Sequence, residues 1–275
     1  MPARLATTLA VFALAAFPAR AQTPLELAQR LYERAAIGAQ LASIPGQFAQ
    51  GIEEQRGKLP DETIATLVEA GKKSFAEDVL HGEIVADVAQ TMKADDIVKT
   101  LDWLDGLVGR RVTQAEASAA ASMGPEAVRS WLESRKDKPP HPARDALIAE
   151  LMRTTRAVET GAGFIEAISL GIAVGMDATQ PVEKRIGLAG LRSRLRAAMP
   201  PQRLRDDVAA ILPPTYSYVY REVSDADLAD YVKFSGSPLG LRYNEAVSGA
   251  LVGALARASV RVGEKMPDTT EKKRI

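Results

Sequence analysis

Acidic side chains lie in four close pairs, the arrangement required by a hydrolase that works with two carboxylates. The pairs are Glu53-Glu54, Asp95-Asp96, Asp206-Asp207 and Asp225 with Asp227. Acids near the start of a helix more often cap free backbone N–H groups or interact with the helix dipole. We therefore interpret the pairs as structural and keep a paired-carboxylate hydrolase as the third functional hypothesis.

Histidine and cysteine, which build most metal and nucleophilic sites, are scarce. The chain has two histidines, His81 and His141, and no cysteine. Without cysteine, thiol catalysis, thiolate metal sites and disulfides are excluded. Neither histidine lies in a ligand pattern such as His-x-x-x-His, and no Gly-x-Ser-x-Gly sequence offers a nucleophile. We expect no cofactor and no metal, and interpret His81 as a partly buried core residue and His141 as solvated.

Aromatic and glycine-rich stretches could instead bind a ligand or a partner. Tyr216, Tyr218 and Tyr220 could form an aromatic surface, or they could pack as amphipathic side chains between helices, which we favour. Phe164 and Ile168 lie in an apolar run, residues 164–176, whose small residues have the spacing that lets helices pack closely. A buried central helix, an apolar pocket and a groove for a partner helix all fit this run.

One pattern of packing and turn residues occurs twice, at an offset of 131 residues (240 − 109 = 131). Each copy has an acid, an aromatic residue, a glycine and an arginine in the same order. The residues are Asp96, Trp103, Gly109 and Arg111, then Asp227, Phe234, Gly240 and Arg242. The spacing predicts two helices joined by a tight corner, with the glycine in the first turn of the second helix, where the preceding helix approaches closely. The constant offset indicates an internal duplication.

The second copy has the clearer helix ends. Ser224 and Ser237 are predicted N-caps, and Pro238 fits the first position of a helix, where its missing N–H is harmless. Gly236 is predicted to end the preceding helix in the left-handed conformation. The first copy has Lys93 where the first cap should be, so its boundaries are less well defined.

The repeated arginines and acids could pair with each other across the two copies. Within one copy they lie about 15 Å apart, at opposite ends of a helix. If the copies pack antiparallel about a pseudo-twofold axis, Arg111 approaches Asp227 and Arg242 approaches Asp96. The alternative, which we favour, is that both arginines lie on a solvated face.

Helical spacing of apolar residues dominates the chain and predicts an all-α helical bundle built from two related halves. The N-terminal half covers residues 22–134, a proline-rich linker covers 135–142, and the C-terminal half covers 143–266, followed by a polar tail at 267–275. The first helix is expected to begin at Pro24 and to be bent or interrupted at Pro45-Gly46, and Asp61 is expected to cap the second. In the C-terminal half, the expected helical segments are residues 143–177, 181–199, 202–212, 216–223, 225–234 and 238–265.

The first 21 residues have the pattern of a cleavable secretory signal peptide. Arg4 precedes an apolar run, residues 5–17, and Ala19-Arg20-Ala21 supplies a small-x-small cleavage site. Thirteen apolar residues (17 − 5 + 1 = 13) fall short of the roughly 20 that span a bilayer. We expect cleavage after Ala21, a periplasmic or secreted location and no membrane span afterwards. Cleavage changes the balance of 35 basic and 35 acidic residues to a net charge of −2 (33 − 35), so nothing indicates a nucleic-acid partner.

The second copy also resembles a known family. Ser224-Asp-Ala-Asp-Leu followed by Phe234-Ser-Gly-Ser-Pro-Leu-Gly240 is similar to the acidic, apolar, then Phe-Tyr-x-Ser-Pro-x-Gly pattern of domain of unknown function 2059, a family of exported bacterial proteins. The resemblance covers the second copy well and the first in degraded form, and Ser235 replaces the expected tyrosine. It implies an all-helical fold outside the cytoplasm and no established activity.

Two functional hypotheses therefore rank above the paired-carboxylate hydrolase. The leading one is an exported protein-interaction or scaffold module of the cell envelope, without catalysis, whose partner is an unknown envelope protein. The alternative is a carrier of a small apolar or lipidic ligand held between the glycine-rich helices. A closed apolar cavity near Phe164, Ile168 and Leu251 would favour the carrier, whereas a solid core with an exposed apolar groove would favour the interaction module.

Overall fold

The computed structural model describes residues 22–57, 59–122, 124–137, 139, 141–178 and 180–265. These residues form fourteen α-helices and a 3-10 helix (Val182–Lys184), with no β-strand among them, so the predicted all-α fold is confirmed. The helices are α1 (Pro24–Arg34), α2 (Ile37–Leu41), α3 (Ile44–Glu53), α4 (Asp61–Ser74), α5 (Glu77–Thr91), α6 (Ala94–Asp105), α7 (Leu107–Ser122), α8 (Pro125–Glu133), α9 (Pro142–Thr154), α10 (Ala157–Ala178), α11 (Gly187–Ala198), α12 (Pro201–Val219), α13 (Asp225–Ser235) and α14 (Pro238–Gly263). The predicted signal peptide and polar tail lie outside the described residues.

The last helix, α14, lies at the centre of the larger hydrophobic core. It packs against α4, α5 and α6, and its Ala254, Ala258 and Val262 are fully buried. Leu31 and Phe75, from the predicted N-terminal half, belong to the same core. The two predicted halves therefore share one core instead of each burying its own.

Helix α10 makes its most extensive helix contact with α14. A Cβ added to Gly171 would lie 2.7 Å from the carbonyl oxygen of Ala256, and one added to Gly175 would lie 2.2 Å from that of Val260. The glycines therefore let the two backbones touch, as their spacing predicts. Both helices are long and apolar enough to cross a membrane. The buried share of the most apolar window is 44% in α14 and 17% in α10, so α14 is the more deeply buried of the two.

A second hydrophobic cluster joins α7, α9, α12 and α13. Its most buried members are Val112, Leu151 and Leu228, and Trp103 packs against both this cluster and the larger core. Helices from both sides of the predicted linker therefore meet here as well.

The two predicted corners, between α6 and α7 and between α13 and α14, bring backbone atoms into direct contact. A Cβ added to Gly109 would lie 2.3 Å from the carbonyl oxygen of Trp103, and one added to Gly240 would lie 2.0 Å from that of Phe234. The rings of Trp103 and Phe234 stack on each other, with their centroids 3.9 Å apart. The glycines are thus required by the close approach, and the aromatic residues join one corner to the other. The internal duplication itself stays a prediction.

Helix ends at the second corner follow the sequence prediction except at one glycine. The Ser224 hydroxyl accepts a hydrogen bond from the Asp227 N–H at 3.1 Å, and the Ser237 hydroxyl accepts one from the Gly240 N–H at 3.0 Å. Gly236, however, has a φ of −84°, so the predicted left-handed end of α13 is wrong. The chain passes from α13 into the cap of α14 without the reversal that a left-handed residue would introduce.

Two helix breaks occur at residues other than glycine in the left-handed conformation. Ala36, with a φ of 50°, separates α1 from α2, whereas Pro45 lies in the first turn of α3 instead of bending a longer helix. Arg156, with a φ of 52°, divides the segment predicted at 143–177 into α9 and α10. Alanine and arginine are good helix formers, so their types do not indicate these breaks.

Helix α12 continues through Pro213 and Pro214, where the sequence predicts an interruption. The carbonyl groups that lose their N–H donors belong to Ala209 and Ala210, and both residues are exposed. Water therefore replaces the missing donors, and the helix continues. This continuity places Tyr216 and Tyr220 one turn apart on one helix face.

Candidate functional site

A cavity of about 430 Å³, partly open to solvent, lies between α7, α10, α12, α13 and α14, with α2 at one side. Its walls are mainly apolar and include Phe164, Val247 and Leu251. Of the two predicted ligand residues on α10, Phe164 lines the cavity, whereas Ile168 packs against the larger core. The volume lies within the range of small-molecule sites.

One carboxyl group, that of Glu116 on α7, lies in the cavity wall. Its Oε1 accepts a hydrogen bond from the Tyr220 hydroxyl at 2.6 Å and another from the Tyr231 hydroxyl at 3.1 Å. Burial raises the pKa of Glu116. The hydrogen bonds from the two tyrosine hydroxyls favour the charged form and lower the pKa, but by less than burial raises it. Within the described part of the chain, no basic side chain forms an ion pair with it.

Glu116 is absent from the predicted site residues, although its position could have indicated it. It follows Val112 by four residues and precedes Ala119 by three, and both of those residues are buried. An acid on the buried stripe of a helix is unusual unless it has a partner. Because alanine is frequent around it, the stripe is weakly marked in the sequence.

Four tyrosines surround this carboxyl group on the cavity wall: Tyr216, Tyr220, Tyr231 and Tyr243. Burial raises the pKa of each of them, so their hydroxyl groups stay protonated near neutral pH. The rings of Tyr216 and Tyr220 have centroids 5.8 Å apart, and those of Tyr220 and Tyr231 are 5.9 Å apart. The second predicted helical half therefore supplies an aromatic wall with hydroxyl donors.

The three predicted tyrosines, which alternate with other residues along the sequence, do not form one surface. Tyr216 and Tyr220 face the cavity, whereas Tyr218 lies on the other side of α12 because two residues correspond to about 200° around a helix. The Tyr218 ring packs edge-on against Trp131 of α8, and the guanidinium of Arg221 lies 4.0 Å from its centroid. Tyr218 therefore fills the seam between α8 and α12, the packing role that the sequence favours.

Arg144 of α9 fixes the end of α12 that carries Tyr220. Its guanidinium donates to the carbonyl oxygens of Tyr220 and Val223, the latter at 3.0 Å, and pairs with the carboxylate of Asp225. Only 17% of the Arg144 side chain is exposed. The Tyr220 carbonyl also accepts the Val223 N–H at 2.9 Å, so Arg144 reinforces this end of α12 and holds the tyrosine wall in place.

The two histidines lie outside the cavity. His141 caps α9, since its Nδ1 accepts the Arg144 N–H at 3.2 Å, and its Nε2 lies 3.6 Å from the Asp225 carboxylate. His141 is therefore half-exposed and caps a helix, whereas the sequence predicts only a solvated side chain. His81 packs edge-on against Tyr32, with ring centroids 4.5 Å apart, and is partly buried.

Asn244 of α14 adds an unpaired amide to the same wall. Its Nδ2 is buried and, among the described residues, has no hydrogen-bond acceptor. An unpaired buried donor costs roughly 1–3 kcal/mol. Together with Glu116, the cavity wall therefore holds two polar groups whose hydrogen-bonding capacity the protein leaves unused.

The repeated acids and arginines pair across the two copies. Arg242 holds both carboxylate oxygens of Asp96, at 2.8 and 2.9 Å, and Arg111 contacts Asp227 at 3.0 Å. The expectation of a purely solvated face is therefore wrong, although 53% of Arg111 and 52% of Arg242 remain exposed. The hydrogen bonds from Arg242 hold the pKa of Asp96 below its usual range.

A second hollow of about 580 Å³ borders this Asp96–Arg242 pair. Two of its carboxylates, those of Asp87 and Asp96, already have arginine partners, since Asp87 pairs with Arg257 at 2.8 Å. Its other charged residues outside these pairs, Lys93 and Glu245, are exposed to solvent, so the hollow differs from the first cavity, whose polar groups lie deeper in the protein.

The other predicted acid pairs are also bound to basic groups. Glu53 and Asp61 share Arg56, Asp225 pairs with Arg144, and Asp207 lies 3.9 Å from Arg203. Asp61 thus binds an arginine instead of capping α4, whose N-terminus has no side-chain cap. Over the described ranges, no group of three or more His, Cys, Asp or Glu side chains is placed to hold a metal ion.

No family model, curated protein or solved structure matches this chain. The resemblance to domain of unknown function 2059 accordingly stays a prediction, and the function is inferred from the cavity and the residues that line it.

Proposed function

We propose that this chain binds and carries a small amphiphilic ligand in the cavity beside Glu116. The observation that carries the proposal is a mainly apolar cavity of about 430 Å³ whose wall contains a carboxyl group that pairs with no basic side chain of the described residues. An apolar pocket with a few polar groups that fix orientation is the usual form of a small-molecule site. The carrier is the second hypothesis from the sequence. The cavity supports it because Phe164 and Leu251 line the wall, although the cavity is partly open instead of closed and Ile168 lies outside it.

The pKa shifts in the cavity wall indicate the role of its tyrosines. The one carboxyl group and the four tyrosines all have raised pKa values because they are buried. The tyrosines therefore act as hydrogen-bond donors and not as bases near neutral pH.

The proposed carrier acts outside the cytoplasm. Support comes from the N-terminal pattern of Arg4, an apolar run and Ala19-Arg20-Ala21. A soluble carrier in the cell envelope would protect the apolar part of its ligand from water on the way between membranes or proteins.

The test is to purify the chain from residue 22 onward from its native compartment and to identify bound small molecules by mass spectrometry. Ala120→Phe on α7 adds an aromatic side chain to the cavity wall and should remove the ligand, since Ala120 lines the cavity. Ala197→Phe on the exposed side of α11 is the matched control and should retain it. An empty wild-type protein that also fails to bind apolar fluorescent probes would refute the carrier function.

Protein interaction is the second candidate, because α10, the 3-10 helix and α11 expose large apolar side chains. These are Ile165, Val182, Ile186 and Leu188, between 38% and 76% exposed. Arg192, Arg194 and Arg196 are exposed on α11 as well, so a partner surface should be apolar and acidic. Cross-linking from α11 in the native compartment should identify one partner, and Leu188→Ser with Arg192→Ser should abolish the cross-link. Retention of the cross-link in that variant, with Leu132→Ser on α8 as the control, would exclude this surface.

A further inference from the structure

Within the part of the chain that the structure describes, hydrogen bonds reach only one of the two carboxyl oxygens of Glu116. Both tyrosine hydroxyls donate to Oε1, and within the described residues Oε2 accepts no hydrogen bond. Asp96, which is less exposed than Glu116, has Arg242 on both of its oxygens. A buried acid without a cationic partner destabilises the folded protein, so its presence in a cavity wall points to a partner that arrives with the ligand.

The aromatic wall selects the same kind of partner. Tyr216, Tyr220 and Tyr231 form a continuous series of rings beside Glu116, with neighbouring centroids less than 6 Å apart. Aromatic faces attract organic cations, most strongly where water is excluded, and sites for quaternary ammonium groups are commonly built from them. Carboxylate and rings together therefore provide both the charge and the surface for an ammonium group.

We infer that the cavity takes an amphiphile whose ammonium head group pairs with Glu116 and whose apolar chain packs along Phe164 and Leu251. This inference rests on the proposed carrier function and names its ligand class. An anionic amphiphile would bring a second negative charge next to Glu116, and a neutral one would leave Oε2 without a cation. The head group is a primary or quaternary amine, and the chain is short enough for a cavity of about 430 Å³.

Calorimetric titration of residues 22–275 with four ten-carbon probes, each below its micelle concentration, tests this ligand class. The probes are decylamine, decyltrimethylammonium, decanol and decanoate. We expect the two cations to bind at least about tenfold more tightly than decanol, because a charged hydrogen bond or a desolvated cation–π contact contributes at least that factor. Decanoate should bind most weakly.

Glu116→Gln removes the charge and keeps an acceptor for the two tyrosine hydroxyls. It should lower the affinity for both cations by about tenfold or more and leave decanol unchanged. Glu126→Gln, at an exposed acid of α8, is the control and should change neither affinity. Circular dichroism establishes that each variant is folded. Should Glu116→Gln fail to fold, Tyr231→Phe keeps the ring, removes one donor to Glu116 and should weaken cation binding by a smaller factor.

The pH dependence gives a second readout, because decyltrimethylammonium does not titrate. Glu116 binds a cation only when it is ionised, so the affinity should rise with pH above its usual value of 4.5. The other titratable groups that face Glu116 are Tyr216, Tyr220, Tyr231 and Tyr243, whose raised pKa values keep them neutral over this range. In Glu116→Gln the rise should disappear.

The outcomes separate the ligand class from the carrier function. Equal binding of decanol and decylamine, tighter binding of decanoate, or unchanged cation binding in Glu116→Gln would overturn the inference while the carrier function stands. Failure of all four probes to bind would overturn the carrier function itself.

Discussion

The corner between α6 and α7 and the corner between α13 and α14 have the same backbone design and different surroundings. Each has a glycine pressed against a carbonyl group, an aromatic residue before the turn and an arginine that binds the acid of the other copy. The positions that face the cavity differ. Glu116 corresponds to Val247 (247 − 116 = 131), and both line the cavity.

The tyrosines come from one copy only. At the offset of 131, Tyr220, Tyr231 and Tyr243 correspond to Ala89, Thr100 and Val112. The first copy therefore provides the acid and the second provides the aromatic wall. The repeated residues therefore build the frame, and the candidate site lies at positions where the two segments differ in residue type.

Truncation of the stacked rings should have the largest effect on this frame. Phe234→Ala removes a buried ring and should lower the free energy of unfolding by about 3–5 kcal/mol, and Trp103→Ala should act similarly if the two corners are equivalent. Because the rings stack on each other, the double variant should cost less than the sum. Urea denaturation measures all three, with Trp131→Ala on α8 as a control that should cost less. Strict additivity would show that the corners are independent.

Addition of one methyl group at the corner should have the next largest effect. Gly240→Ala places Cβ 2.0 Å from the Phe234 carbonyl oxygen, so the helices must move apart. We expect a loss of about 1–3 kcal/mol in the free energy of unfolding. Gly249→Ala, in the same helix with nothing within 4 Å of the added Cβ, should be neutral or stabilise by up to about 1 kcal/mol. Equal losses in the two variants would indicate a general effect of helix α14 instead.

Neutralisation of Glu116 should change how stability depends on pH. Its pKa is raised in the folded state, so the folded protein holds the proton more tightly than the unfolded chain does. The contribution of Glu116 to stability is then fully present below the usual value of 4.5 and is lost as the pH rises through the folded pKa. Glu116→Gln should remove this fall and make the ligand-free protein more stable than wild type at high pH. Urea denaturation across the pH range checks this, and a parallel decline in the variant would contradict it.

Loss of one crossed ion pair should have the smallest effect. Asp96→Asn should lower the Tm at neutral pH more than Asp227→Asn, because Asp96 binds Arg242 through both oxygens. The pKa of Asp96 is lowered in the folded state, so its contribution is present above the usual value of 3.8 and is lost as the pH falls through the folded pKa. Thermal unfolding should therefore show a difference between Asp96→Asn and wild type that shrinks in acid. A difference that persists there would assign the effect to packing.

The repeat and its corners could be predicted from the sequence because they depend on local rules. Glycine in the first turn of a helix is unfavourable unless another chain approaches closely, and Gly109 and Gly240 both meet a carbonyl group. Ser224 and Ser237 precede helix starts with the spacing of side-chain caps. Such features need no knowledge of distant contacts.

The cavity could not be predicted, because it depends on contacts between distant segments. Ala36 and Arg156 adopt left-handed conformations that their types disfavour, and tertiary packing must impose them. The link between Glu116 and Tyr231 joins residues 115 positions apart. The aromatic stretch at 216–220 was visible, but only a continuous α12 shows that Tyr216 and Tyr220 share a face and Tyr218 does not.

The corner glycines also limit how this protein can evolve. At Gly71 an added Cβ would meet the side chain of Phe48, so a smaller residue at position 48 could compensate for the change. At Gly109 and Gly240 the clash is with backbone carbonyl oxygens, which every residue type carries. A substitution elsewhere cannot remove a backbone carbonyl oxygen, whereas a clash between side chains around the cavity can be relieved by changing either side chain. Divergent homologues should accordingly keep both corner glycines while their ligand preferences drift apart.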